Sequence, residues 1–121
     1  MSGLPRVLLV DDEPILRRSM GRMLRGRLDL VEAESTEHAL EILEHDRDFV
    51  LLLCDVVMPG RSGIDLCQEI KRRWPGLETR VVFVTGGSFG TGVPPHELDN
   101  TFLKKPVTFA DIENELAKRT R

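Results

Sequence analysis

Five side chains that could carry out phosphate and metal chemistry stand at the ends of apolar segments. Asp11 and Asp12 follow RVLLV, Asp55 follows LLLC, Thr85 follows RVVFV, and Lys105 follows TFLK. Carboxylate oxygens are ligands for hard divalent cations, an ammonium group neutralises a phosphate oxygen, and a hydroxyl donates to another. A carboxylate can also attack phosphorus and form an acyl phosphate. Phosphoryl transfer needs mainly positioning and charge neutralisation, so these residue types together predict that chemistry.

The three carboxylates would crowd negative charge if the fold brought them together. Two carboxylates about 5 Å apart repel by roughly 3 kcal/mol at an effective dielectric near 20. Three cannot all stay ionised without compensation, and one lysine offsets only part of the repulsion. A divalent cation offsets much more, and Mg²⁺ favours one or two carboxylates together with waters and phosphate oxygens. The residue types therefore predict a Mg²⁺ or Mn²⁺ site.

The elements that would position these residues alternate along the chain. Five short segments carry runs of apolar residues without strict alternation in polarity, as strands buried on both faces do: residues 6–10, a stretch within 28–34, 49–54, 80–84 and 101–104. Amphipathic segments between and after them predict helices that start at Pro14, at Ser35 or Thr36, at Gly63 and near Thr108. This alternation favours an α/β fold with a parallel sheet covered on both faces. We expect a doubly wound, flavodoxin-like sheet in the order 2-1-3-4-5, in which the strand ends converge on one ligand-binding edge.

One helix is missing from this pattern. After the fourth strand the chain reads GGSFGTGVPPHEL, with four glycines and two prolines in thirteen residues. These residues are poor helix formers, so the fourth helix should be degenerate or absent, with at most one turn near residues 95–98. We expect residues 86–97 to form a loop that phosphorylation orders.

Size and composition indicate a single soluble domain over residues 1–121 with a formal net charge of −3. There is no basic stripe, so nucleic acid is not an expected partner. No apolar run approaches the ~18 residues that span a bilayer, which argues against a membrane protein. The start MSGLPR lacks a signal-peptide core, and Cys54 and Cys67 lie within apolar patterns. Both features favour a reducing, cytoplasmic location.

Four segments carry a resemblance to a known family: VDDEP at 10–14, DVVMPGRSG at 55–63, VTGG at 84–87 and FLKKP at 102–106. Each motif is weak alone, but the four occur in order and each lies at a strand end. Together they resemble the response-regulator receiver domain over nearly the whole chain.

The resemblance implies a two-component phosphorelay. Asp55 would accept a phosphoryl group from a histidine kinase or a histidine phosphotransfer domain. Asp12 and Asp55 would bind Mg²⁺, Asp11 would assist through water, and the carbonyl of Val57 would complete the protein ligands. Downstream, an output domain or a kinase in a longer protein would be the partner, and the resemblance does not distinguish this from a receiver that acts alone.

The resemblance also implies which residues would bind the phosphoryl group and respond to it. Thr85 and Lys105 would engage it, and Phe102 matches the aromatic switch position of the family. Pro106 matches a proline whose peptide bond is cis in the family. A cis bond is otherwise found in about one X-Pro bond in twenty.

Two departures from the family pattern stand out. The Gly/Pro-rich segment replaces a helix that contributes, with the fifth strand and the last helix, to the dimer or output surface of many receivers. The positions two residues after Asp55 and Thr85 are Val57 and Gly87. Neither side chain can orient an attacking water, so we expect slow self-dephosphorylation.

Other interpretations explain single residues but not the set. Asp11 and Asp12 could be a helix N-terminal acidic pair, and Asp55 could simply start the Pro-Gly turn.

A Mg²⁺-dependent phosphatase of the haloacid-dehalogenase type would carry its nucleophile on the first strand in a DxD pattern, with a cap domain. Here the first strand ends in Asp-Asp-Glu and there is no room for a cap. A receiver-like interaction module that is never phosphorylated would not need the intact acidic set. The sequence therefore predicts a switch rather than an enzyme.

Overall fold

The sheet has the predicted topology. The computed structural model describes residues 3–86 and 100–119, and its five strands pair in parallel in the order β2-β1-β3-β4-β5. The strands are β1 (Arg6–Val10), β2 (Asp29–Ala33), β3 (Leu51–Asp55), β4 (Val81–Thr85) and β5 (Phe102–Lys104). The expected doubly wound α/β class is thus confirmed.

Four α-helices occur in the described part of the chain, with a short 3-10 helix before β4. They are α1 (Pro14–Leu24), α2 (Thr36–His45), α3 (Gly63–Arg73) and α4 (Phe109–Arg119), and the 3-10 helix is Leu77–Arg80. Pro14 starts α1 without sacrificing a needed hydrogen bond, because the first helical amide has no intrahelical acceptor. The Ser35 side chain caps α2 by accepting from the His38 amide, and Ser62 and Asp65 form a reciprocal capping box on α3. None of the described helices is long and apolar enough to cross a bilayer.

The core consists of two apolar clusters, one on each face of the sheet. One cluster packs α2 and α3 against side chains such as Leu52 and Phe83, and the other packs α1 and α4 against Leu53 and Val82. All five residues of β3 are buried. A strand buried on both faces must be apolar at successive positions, which explains the uninterrupted apolar run in the sequence.

Two strands extend one residue further than predicted. Residues 49–54 and 80–84 were the expected bounds, whereas β3 ends at Asp55 and β4 ends at Thr85. Asp55 pairs with Val84, and the Val56 amide still donates to the Val84 carbonyl. Strand pairing uses backbone groups whatever the side chain, so the sheet continues through the polar residues that a hydropathy pattern excludes.

The loop predicted for residues 86–97, with one possible helical turn near 95–98, lies outside the described residues apart from Gly86.

Gly63 stands where the backbone of β3 and the start of α3 touch. A Cβ atom at this position would lie 2.2 Å from the Asp55 carbonyl oxygen and 3.0 Å from its carbonyl carbon. The Gly63 amide donates to the Val56 carbonyl at 3.1 Å. Only glycine permits this approach, because the atoms in conflict are backbone atoms that cannot rotate away.

We expect Gly63→Ala to lower the free energy of unfolding by about 1–3 kcal/mol, the usual cost of overpacking. Urea unfolding measures this. The matched control is Gly21→Ala in α1, where the nearest atom to the added methyl is Glu32 Oε2 at 3.8 Å. That change should raise stability by about 0.5–1 kcal/mol. Equal stability of Gly63→Ala and wild type would contradict the steric argument.

Candidate functional site

The three aspartates predicted from the sequence come together at the carboxyl edge of the sheet. One carboxylate oxygen from each of Asp11, Asp12 and Asp55 lies within 4.8 Å of the others. Strand register explains why Asp11 and Asp55 are close, because Val10 pairs with Cys54 and each is followed by an aspartate. Asp11 and Asp55 are each only 5% exposed.

Lys105 is the cation that faces this cluster. Its Nζ lies 3.3 Å from Asp55 Oδ2 and 3.6 Å from Asp11 Oδ2. Burial works to lower the pKa of Lys105, but the Asp11 and Asp55 carboxylates outweigh burial and raise it above its ordinary value. The ammonium group therefore stays charged at neutral pH.

Asp55 is held in an environment that opposes its negative charge. Burial raises the pKa of Asp55, and the neighbouring Asp11 carboxylate raises it further. The Lys105 ammonium and the Val57 amide, which donates to Asp55 Oδ1 at 3.3 Å, lower the pKa without cancelling the rise. The described side chains thus leave excess negative charge at the site, and the donor set of carboxylate oxygens suits a hard divalent cation.

The loop carrying Asp11 and Asp12 is fixed by contacts that the sequence analysis missed. The Glu13 amide donates to Asp11 Oδ1 at 2.9 Å. The Arg17 guanidinium donates to the Asp11 carbonyl at 2.6 Å, and its Nε lies 3.5 Å from Glu32 Oε1. Arg17 therefore links the acidic loop to β2. No sequence signal distinguishes Arg17 from the other arginines of α1.

The loop between β3 and α3 is fixed at both ends. At its start, the Val57 amide is bound to Asp55, while the Val57 side chain is 70% exposed. At its end, the Thr36 hydroxyl donates to the Arg61 carbonyl at 3.0 Å. Thr36 and Gly63 were not identified as site residues from the sequence. A glycine as the first residue of a predicted helix is the one signal that could have indicated Gly63, because glycine is a poor helix former.

Thr85 lies on β4, the strand next to Asp55, and Phe102 lies on the edge strand β5 beyond it. Thr85 is buried at the end of β4, and its carbonyl accepts from the Lys105 amide at 2.7 Å. The Phe102 ring stacks on Phe83 with a centroid separation of 4.8 Å and an interplanar angle of 28°. Phe102 is partly buried against the cluster on the α2 and α3 face. The pairing of β4 with β5 thus joins the strand that carries Phe102 to the strand that ends in Thr85, and Lys105 directly follows β5.

Lys105 is followed by a cis peptide bond to Pro106, as the sequence analysis expected. Gly87, two residues after Thr85, lies outside the described residues. A largely apolar cleft of about 430 Å³ opens beside Lys105, between α1 and the segment that follows β5. Its lining includes Leu16, Met20 and Val107 together with Asp11 and Asp55.

Comparison with known proteins matches this arrangement to one family. A model of the response regulator receiver domain matches residues 7–117. Response regulator protein PilR of Pseudomonas aeruginosa is 34% identical, over 96% of this chain and 26% of PilR. Response regulator receiver protein CpdR of Brucella abortus is 30% identical, over 95% of this chain and 96% of CpdR. The chain thus spans about a quarter of PilR but nearly all of CpdR.

The same match is found among solved structures. A response regulator receiver protein from Pseudomonas putida superposes with a TM-score of 0.80 at 26% identity, covering 98% of this chain and 99% of that one.

We expect Asp55→Asn to stabilise the protein at pH 7 in the presence of a chelator, by on the order of 1 kcal/mol, a typical size for one substitution. The substitution removes a carboxyl group whose pKa is raised in the folded state. The ionised Asp55 carboxylate therefore lowers the free energy of unfolding at any pH above that pKa. The gain should shrink as the pH falls through the folded pKa and vanish below the ordinary aspartate value of 3.8.

Urea unfolding at pH 7 and at low pH measures this dependence. Asp48→Asn, which changes an exposed aspartate, is the matched control and should have little effect at either pH. A gain for Asp55→Asn that stayed constant across the pH range would show that charge is not its cause.

Proposed function

Because this chain belongs to the response regulator receiver domain family, whose model matches residues 7–117, we propose that it is a phosphoacceptor switch with Asp55 as the acceptor. The single observation that carries the proposal is the convergence of three carboxylates and one ammonium group at the carboxyl edge of the sheet. Residues 1–121 would form one receiver domain, and the switch itself would have no enzymatic output.

Asp55 suits the acceptor role because of its place in the cluster. It lies on the central strand β3, and its two oxygens contact different groups, the Val57 amide and Lys105 Nζ. In the proposed transfer, an Asp55 oxygen forms a bond to phosphorus while the P–N bond of a phosphohistidine breaks. The electron pair of that bond leaves with the imidazole nitrogen of the donor.

The acidic residues fit a bound Mg²⁺ or Mn²⁺. Asp12 and Asp55 would hold the cation directly, Asp11 through water, and the Val57 carbonyl would complete the protein ligands. When bound, the cation would neutralise charge on the transferring phosphoryl group. Lys105 contributes fixed positive charge beside Asp55 and Asp11, so the site would not have to reorganise during transfer.

Thr85 and Phe102 would convert the modification into a change of shape. The Thr85 hydroxyl would donate to a phosphoryl oxygen, and Phe102 would shift further inward behind it. These residues lie on β4 and β5, so the altered surface would be the one near those strands. Phosphorylation would bias an equilibrium between two existing conformations by binding one of them better.

The expected donor is a histidine kinase or a histidine phosphotransfer domain. A similar protein is named a sensor kinase, CckA of Brucella abortus, and this chain spans 12% of its length. The downstream partner would be an output domain or a kinase in a longer protein, or a separate target, as the relatives span both arrangements.

Incubation with Mg²⁺ and a small acyl phosphate tests the acceptor. We expect the intact mass to increase by one phosphoryl group, and Asp55→Asn to abolish the increase because it removes the nucleophilic oxygen. Lys105→Ala should slow the reaction at least about tenfold, since one preorganised electrostatic contact is worth that or more. Asp48→Asn, a change at an exposed aspartate, is the control and should react like wild type.

The other outcomes separate the rival functions. Hydrolysis of the acyl phosphate without an adduct would indicate a phosphatase that uses an aspartyl nucleophile. No adduct and no hydrolysis would indicate a receiver-like module that is never phosphorylated.

A second prediction concerns the lifetime of the adduct. The exposed Val57 side chain cannot hydrogen-bond a water, so wild-type protein should lose its phosphoryl group slowly, over minutes or longer. Val57→Asn supplies an amide at the same place and should shorten the lifetime by roughly tenfold or more, because a positioned polar group assists water attack. Loss of radiolabel without a phosphatase measures both. A wild-type lifetime of seconds would contradict the prediction.

A further inference from the structure

The loop between β3 and α3 is tied to α2, the helix on the same face as α3, through one buried hydroxyl. Thr36, the first residue of α2, is 1% exposed. Its Oγ1 donates to the Arg61 carbonyl at 3.0 Å and lies 3.4 Å from the Ser62 carbonyl. The two partners are 25 residues apart in sequence, so the contact is purely tertiary.

The Thr36 hydroxyl matters more to the Arg61 carbonyl than to the Ser62 carbonyl, because the Ser62 carbonyl has a second donor. Ser62 already accepts from the Leu66 amide at 3.0 Å in the first turn of α3. For the Arg61 carbonyl, Thr36 is the only donor found among the described residues. Loss of the hydroxyl would leave that carbonyl without a partner unless the loop moved toward water.

The rest of the loop has few other restraints. The Met58 side chain is buried against the α2 and α3 cluster. The Arg61 side chain reaches Glu37 at 3.9 Å and Glu69 at 3.7 Å, but both pairs are partly exposed and surface ion pairs contribute little. Within the described ranges, the amides of Met58, Gly60 and Arg61 have no protein acceptor. The Ser62–Asp65 capping box and the Gly63 amide hold the distal end of the loop to α3 and Val56, and the Thr36 hydroxyl is the contact that ties this end to α2.

We infer that Thr36 is a positioning residue for the cation and phosphoryl site, acting through the β3–α3 loop. The inference rests on the proposed function, because the loop carries Val57, whose carbonyl is the expected ligand. A loop held at both ends presents that carbonyl in one place, whereas a loop held only by Asp55 and Val56 would spread it over several positions. Residues that orient ligands in this way typically change metal affinity by about 10–100-fold.

The test is Mg²⁺ binding to the unphosphorylated protein, measured by calorimetry, together with amide hydrogen exchange of residues 57–61. Thr36→Val removes the hydroxyl and keeps the shape of the side chain. We expect it to weaken Mg²⁺ binding about tenfold, the lower end of the range for such residues, and to speed exchange in the loop. Thr36→Ser restores the hydroxyl and should bind within about twofold of wild type, whereas loss of packing alone would not be rescued by serine.

Thr79→Val is the matched control. The Thr79 hydroxyl also donates to a backbone carbonyl, that of Gly76 at 2.7 Å, but it lies in the 3-10 helix before β4. This variant should bind Mg²⁺ like wild type. If Thr36→Val does not fold, Thr36→Ala removes the same hydroxyl with more room to spare and is judged by the same criteria.

The possible results separate the two proposals. Equal Mg²⁺ affinity of Thr36→Val and wild type would overturn the positioning role and leave the proposed function intact. A Thr36→Ser variant as weak as Thr36→Val would also overturn it, because the hydroxyl would not be the cause. Wild-type protein that bound no Mg²⁺ would count against the proposed function itself.

Discussion

Two buried carboxylates facing a single ammonium group are the constraint on which the rest of the structure depends. Asp11 and Asp55 are almost completely excluded from water, yet only Lys105 balances them among the described cations. Burial and mutual repulsion oppose the charge on Asp55, so the arrangement is destabilising by itself. Such a site persists because the fold around it is fixed by interactions that do not involve it: two apolar clusters and a five-stranded parallel sheet. The excess negative charge would favour a bound cation there, and a phosphoryl group only once that charge is neutralised.

Strands and loops position the site in different ways. The strands set coarse position, because parallel pairing in register brings the residues after Val10 and Cys54 side by side. The loops set fine position through single polar contacts from other parts of the fold. Arg17 holds the Asp11 carbonyl, and Thr36 holds the Arg61 carbonyl. Both anchors bind backbone carbonyls rather than carboxylates, so they restrain the loops without neutralising the charge that the site uses.

The fold and the convergence of the acidic residues with Lys105 could be predicted because they depend on local features of the sequence. Apolar runs identified the strands, and the types of side chain at their ends identified Asp55 and Lys105. The predicted ends of β3 and β4 were less accurate, because Asp55 and Thr85 are polar but still take part in the backbone pairing of the sheet. Gly63 and Thr36 went unnoticed because each acts on a backbone atom that only the folded chain brings near. A hydrophobic pattern carries no information about such contacts, so positioning residues are harder to find from one sequence than the residues that they position.

The site also differs in how firmly its parts are held, and this difference points to where a signal would travel. β3 is buried throughout and paired on both sides, whereas β5 has three residues, only partly buried or exposed, and pairs with β4 alone among the described strands. Segments with fewer buried contacts open or shift at lower free-energy cost. Lys105 directly follows β5 and is bound through its amide to Thr85. A change of charge at Asp55 would therefore act through Lys105 on β5, and the Phe83–Phe102 stack connects that strand to the core. The rigid centre would hold the acceptor in place while the edge responds.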